Sequence, residues 1–348
     1  MAGKIPATII TGFLGSGKTT LIRHLLNNAN GKRIALIINE FGDLGVDGEI
    51  LKGCGDETCR DEDVVELSNG CICCTVAEDF IPTLEMLINR EDAPDHIVIE
   101  TSGLALPQPL VRAFNWPDIR TRVTVDGVVT VVDGPAVRDG LFAADVVAVD
   151  RQRAEDDNLE HETPLSELFE DQLACADMVL INKTDLLSDA ENSSLTTDLI
   201  GRLRGGVRVL HSTQGVIDPA VLLGLGIGAE DDLGSRHEVH HHHHDHEDDD
   251  HHHHEHGHDE FESFVLDLPE LTDATAFLAR LPEVIRSQKI LRLKGFATVA
   301  GKPLSLTIQA VGPRVDSYFE KPATVRSTRL VVIGEQGLDV AAIRAALT

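Results

Sequence analysis

Residues 12–19 read Gly-Phe-Leu-Gly-Ser-Gly-Lys-Thr and follow directly on the apolar run ATII at 7–10. No other stretch constrains the fold as tightly. The spacing G-x4-G-K-[ST] lets backbone N–H groups close around phosphate oxygens, and the positive end of the following helix faces the same point. That geometry demands a strand, a tight loop and a helix in immediate succession. Gly12, Gly15, Ser16, Gly17 and Thr20 are the candidate loop contacts; Lys18 is placed to reach β and γ phosphates, and Thr19 to offer its hydroxyl to Mg2+.

Further apolar runs repeat the pattern: RIALII at 33–38, HIVIE at 96–100, GVVTVVD at 127–133 and MVLIN at 178–182. None alternates with polar residues, as expected of strands buried on both faces, and helical stretches such as TTLIRHLL lie between them. The expectation is an α/β fold, a mostly parallel doubly wound sheet over residues 1–222.

Two later stretches sharpen the nucleotide reading. Glu100 ends a buried run and Gly103 follows it in HIVIETSG, where an acid can hold magnesium through water and a glycine N–H can sense a γ phosphate. Asn182, Lys183 and Asp185 stand in NKTD after another buried run, and an aspartate there can accept both N–H donors of guanine, which adenine cannot match. Three such motifs in this order imply GTP hydrolysis, with Lys18, Thr19, Glu100 and Asp43 as candidate catalytic residues and Thr19, Glu40 and Glu100 as candidate Mg2+ contacts. Glu40 and Asp43, in NEFGD, are chosen because no glutamine stands out to orient the attacking water; a turn with solvated acids is the alternative for both.

Thirteen of the 17 histidines fall within 237–258, and residues 237–262 hold ten acids with no Lys or Arg. So little apolar content predicts a disordered linker over 223–260, acting as a solvated spacer or as a low-selectivity trap for Co(II), Ni(II) or Zn(II). Beyond it FESFVLDL, ILRLKGFATV and LSLTIQAV read as strands with a helical ATAFLARL between the first two, hence a small α+β domain at 261–348. A formal charge of −28 argues against nucleic acid and anionic membranes as partners and favours metal cations. The beginning of the chain has no signal-peptide layout and no run approaches a membrane span, so a cytoplasmic location is expected. His24, His96, His161 and His211 show no ligand spacing and read as packing or surface, and Cys175 as a small buried residue.

Three of the six cysteines, Cys71, Cys73 and Cys74, crowd into NGCICC. Adjacent cysteines are poorly placed to bridge each other, and thiolates bind borderline cations, so a tetrahedral divalent metal site is favoured over redox thiols or buried structural thiols. Cys54 and Cys59 could add ligands, form a redox pair or do neither. If GTP and Mg2+ order the segment that carries the thiols, nucleotide state and metal affinity are thermodynamically coupled. Taken together, TGFLGSGKTTLI, INEFGDLGVD, NGCICC, ETSGLALP and NKTD resemble the CobW family of G3E-type GTPases, over nearly the whole chain including LRLKGF. The resemblance implies a metallochaperone or insertase with the C-x-C-C motif as its metal site. The flanks DGEILKGCGDETC and CCTVAEDFIPTLE resemble most the members linked to cobalt in cobalamin biosynthesis, which implies Co(II), or Zn(II), as cargo and a cobaltochelatase or other corrin-pathway enzyme as acceptor. Homodimerisation, common in related nucleotide switches, is a further possibility. Metal storage on the histidine tract and redox-sensitive signalling are the alternatives from other classes.

Overall fold

The structure, a computed structural model, describes residues 4–29, 31–39, 64–67, 80–155, 164–225, 229–231, 261–311, 314–322, 328–335 and 337–348. The chain divides into two compact units, one built on Met1–Gly224 and the other on the C-terminal residues.

The first unit carries a seven-stranded sheet in the order β3-β2-β4-β1-β5-β6-β7. Its strands are β1 (Ile5–Thr11), β2 (Ile34–Asn39), β3 (Val64–Leu67), β4 (His96–Glu100), β5 (Val123–Asp133), β6 (Met178–Asn182) and β7 (Arg208–His211). Every pairing is parallel, so all seven C-terminal ends lie along one edge. The helices are α1 (Lys18–Asn27), α2 (Ile81–Ile88), α3 (Pro107–Ala113), α4 (Pro117–Arg120), α5 (Gly134–Arg138), α6 (Val146–Glu155), α7 (Leu165–Cys175), α8 (Asp189–Arg202) and α9 (Pro219–Leu222). Ile9, Ile10, Ile97, Ile99, Val129, Leu180 and Ile181 are all buried, which is why their strands read as unbroken apolar runs. The chain runs from β1 toward β2 on one side of the sheet and later crosses to β5 on the other. The crevice at the end of β1 is therefore the switch point where open α/β sheets bind ligands.

The pairing of β1 with β5 shifts register between Ala7 and Thr8, so Asp126 is the extra residue of a bulge. There the hydroxyl of Thr8 donates to Asp126 Oδ2 at 3.3 Å and lies 2.8 Å from His96 Nε2. All three side chains are buried, so His96 belongs to the packing of the sheet. His24 lies 2.9 Å from the carbonyl of Ile217, and Cys175 is buried in α7. Trp116, the only tryptophan, stands half-exposed at the start of α4.

The second unit is an antiparallel sheet in the order β11-β10-β9-β12-β8. It comprises β8 (Phe261–Leu268), β9 (Ile290–Ala297), β10 (Leu304–Val311), β11 (Arg314–Pro322) and β12 (Thr328–Glu335), with α10 (Ala274–Ser287) and α11 (Val340–Leu347). Alternation is visible here: Leu266, Leu293, Ile308, Leu330 and Val332 pack with Phe277, Leu281 and Ile285 of α10 and Ile343 of α11. Val265, Phe296, Val331 and Tyr318, the only tyrosine, stand exposed on the other face. Among the described residues no helix is long and apolar enough to cross a membrane.

Candidate nucleotide site

Strand β1 ends at Thr11 and the chain turns through the glycine-rich loop into α1. Gly12 adopts φ +136°, and a Cβ there would lie 2.1 Å from the carbonyl of Val131; Gly17, the N-cap of α1, adopts φ +102°, and a Cβ there would lie 2.2 Å from Asn182 Nδ2. Neither position tolerates a side chain. The loop wraps around its own lysine, whose Nζ donates to the carbonyls of Gly12 at 2.8 Å and Phe13 at 3.3 Å. Phe13 anchors the loop from below, its ring 5.7 Å from Phe142 and 6.1 Å from Phe169. Ser16 Oγ is buried and has no hydrogen-bond partner among the described residues, as a loop shaped for phosphate oxygens would leave it. Gly15 and Leu14 are exposed, and Thr19 and Thr20 are partly so.

Parallel pairing with β1 brings Glu100 beside α1: Thr19 Oγ1 donates to Glu100 Oε1 at 3.5 Å. Glu100 is almost fully buried. A buried carboxylate next to a threonine hydroxyl at the mouth of a phosphate loop suits a hydrated divalent cation. Gly103, three residues on, packs so closely that a Cβ would lie 2.7 Å from the backbone nitrogen of Leu14.

The third motif sits at the end of β6. Asn182, buried, donates from Nδ2 to the carbonyl of Ser16 at 2.9 Å, while its Oδ1 accepts from Ser212 Oγ at 2.9 Å and Gly215 N at 3.0 Å. It therefore braces the phosphate loop to the loop at 212–215, leaving the solvent side to its neighbours. Asp185 is exposed, and Lys183 reaches Asp133 Oδ2 at 2.6 Å. Among the described residues only Lys183, Gln214 and Lys289 are non-glycine residues with positive φ, and two of those three flank this corner. Local strain of this kind gathers where a ligand is held.

Sequence reasoning missed Asp133, the 212–215 loop and Gln172, whose amide holds the turn after Glu100. The loop had a signal, the polar HSTQG directly after a strand; the other two had none. Glu40, Asp43, Cys54, Cys59, Cys71, Cys73, Cys74 and the histidine tract lie outside the described residues. Among the described residues no group of three or more His, Cys, Asp or Glu side chains is arranged to hold a metal ion.

Residues 6–211 match the family of the CobW/HypB/UreG nucleotide-binding domain, and residues 261–348 match the cobalamin synthesis protein cobW C-terminal domain. The chain belongs to the CobW family. It is 57% identical over 352 residues to a protein of Sinorhizobium sp named zinc chaperone CobW, covering 99% of this chain and 97% of that one. A zinc chaperone CobW of Pseudomonas aeruginosa is 52% identical over 347 residues, covering 98% and 90%. Among solved structures, the Zn(II)-bound YjiA GTPase of E. coli aligns over 99% of this chain and 98% of its own at 25% identity, with a TM-score of 0.41. This CobW-family chain is thus a P-loop GTPase of a metallochaperone family, and the lysine-wrapped loop and the Ser16 hydroxyl, unpartnered among the described residues, fit the phosphates of a nucleotide.

Proposed function

We propose that the protein uses GTP binding and hydrolysis to load and release a divalent metal ion, Zn(II), held by Cys71, Cys73 and Cys74. In this reading Lys18 and the loop N–H groups bind the β and γ phosphates, and Thr19 and Glu100 hold the hydrated magnesium. Gly103 N–H meets the γ phosphate and Asp185 reads the guanine edge. Magnesium, when bound, supplies positive charge that offsets the charge on the phosphates.

The observation that carries the coupling is topological. The parallel sheet brings the C-terminal ends of β3 and β1 to one edge, and the chain leaves β3 at Leu67, four residues before Cys71. This closeness along the chain to the edge that carries the phosphate loop is what supports a coupling between thiolates and nucleotide. The choice of cargo draws on two nearly full-length relatives named zinc chaperones and on the ordinary divalent order, in which thiolate sites prefer Zn(II) to Co(II). Co(II), with a cobaltochelatase as acceptor, is the second reading and is favoured by the sequence flanking the thiols.

A Co(II) titration of the reduced protein, followed by visible absorption and then challenged with Zn(II), tests both. Intense thiolate-to-cobalt bands that saturate at one equivalent, tighten with Mg-GTP over Mg-GDP and vanish on adding Zn(II) are expected. Retention of Co(II) against equimolar Zn(II) in the GTP state would overturn the zinc assignment. Metal binding that is indifferent to nucleotide and unaffected by Cys73→Ser would overturn the coupled site.

A further inference from the structure

The polar groups of the turn at 102–105, which carries Gly103, can be followed one by one. Ser102 O accepts from Ala105 N at 3.1 Å, and Ser102 Oγ accepts from Leu104 N at 3.4 Å and from Gln152 Nε2 at 3.5 Å. The carbonyls of Gly103 and Ala105 accept from one donor, Nε2 of Gln172, at 3.0 Å and 3.4 Å. The N–H groups of Ser102 and Gly103 take no hydrogen bond among the described residues. Among the described residues Gln172 is thus the one side chain that fixes the carbonyls of Gly103 and Ala105, and the turn keeps its spare donors.

Gln172 itself is oddly provided for. It is fully buried in α7, its backbone carbonyl accepts from Thr130 Oγ1 at 3.0 Å, and its Oε1 is buried with no partner among the described residues. A buried amide left half-satisfied is worse for stability than an apolar side chain of the same size. Packing therefore does not account for a glutamine at this position, whereas the two bonds to the turn do. The turn also lies hard against the phosphate loop, given the 2.7 Å approach of a Gly103 Cβ to Leu14 N, so a shift in one is felt by the other.

We propose that Gln172 is a positioning residue for the GTP state: it holds the 102–105 turn with the Gly103 N–H preset for the γ phosphate, and so sets the preference for GTP over GDP. The inference rests on the reading of Gly103 as the γ-phosphate contact. Gln172 touches neither nucleotide nor attacking water. Its effect runs through the turn alone, and GDP, lacking the γ phosphate, does not draw on it.

The test is calorimetric titration of the full chain, wild type and Gln172→Met, with GDP and with a non-hydrolysable GTP analogue in Mg2+. Thermal unfolding and amide hydrogen exchange at 101–105 are read in parallel. Gln172→Met is expected to unfold at the same temperature or higher and to bind GDP within about twofold of wild type. It should bind the analogue about tenfold more weakly, the size of roughly one hydrogen bond of ordering that binding must now supply. An equal loss for both nucleotides would make Gln172 merely structural and overturn the proposal, as would an unchanged ratio. If the analogue protects the turn in wild type no more than GDP does, the reading of Gly103 fails and the proposal with it. If wild type shows that protection and the variant keeps it together with an unaltered ratio, only the role of Gln172 is refuted. Gln172→Leu gives the same comparison should the methionine variant not fold.

Discussion

Asn182→Ala removes three hydrogen bonds at once, to Ser16 O, from Ser212 Oγ and from Gly215 N, at 2.9, 2.9 and 3.0 Å. At about 1 kcal/mol for each bond, the loss is about 3 kcal/mol. Two opposed corrections apply: groups left buried without partners add to it, and a water entering the vacated space relieves part of it. An overall loss of about 2–4 kcal/mol follows, which for a unit of this size lowers the unfolding temperature by about 5–15 °C. The assay is urea unfolding followed by circular dichroism, alongside titration with GDP and a GTP analogue. Because the brace supports the phosphate loop, which the proposed reading gives to GDP and GTP alike, the two ligands should weaken by the same factor. A stability loss under about 0.5 kcal/mol would show that the three bonds are readily replaced by water and refute the brace. So would a loss confined to one nucleotide.

Asp185→Asn replaces a pure acceptor by a group that also donates; GTP affinity should fall by about a hundredfold, and xanthosine triphosphate, with a carbonyl where guanine has its amine, should gain in competition binding. Asp133→Asn keeps the cap on Ala136 N but weakens the partner of Lys183, so GDP and GTP analogue should both lose roughly fivefold by titration. In the second unit the hydrogen bond and charge of Arg329 hold the Asp267 carboxyl below its ordinary range. A depressed folded value means a contribution that is complete above the ordinary aspartate range and is lost as pH falls through the depressed value. The difference in urea midpoint between wild type and Arg329→Met, measured on the second unit's transition, should therefore be present at neutral pH and shrink on acidification; a difference that grows in acid would refute the assignment.

The features legible in the sequence are those whose cause is local. The phosphate loop declares itself by spacing, and β1, β2, β4, β5 and β6 by unbroken apolar runs that only a doubly covered strand needs. The edge strands β3 and β7, each of four residues, are too short to show any period. β11, at an edge, reads RVDSYFEKP and carries too many polar residues to stand out. β12 does alternate, with Leu330 and Val332 buried against Arg329 and Val331 exposed, and was recoverable. The supports of the site are of another kind. Gln172 reaches Gly103 across 69 residues, Lys183 reaches Asp133 across 50, and Asn182 reaches Gly215 across 33. Such bonds are made by the fold, and no window along the chain contains both partners.

The placement of the two rarest aromatic residues gives each unit its own optical signature. Trp116 lies in the GTPase unit and Tyr318 on the bare sheet face of the other, and the chain has no second residue of either kind. Indole emission excited at the red edge, where phenol does not absorb, follows the GTPase unit alone. The phenol band in the ultraviolet difference spectrum reports on the C-terminal sheet. A single unlabelled sample can therefore reveal whether nucleotide stiffens one unit or both, and whether the two melt together.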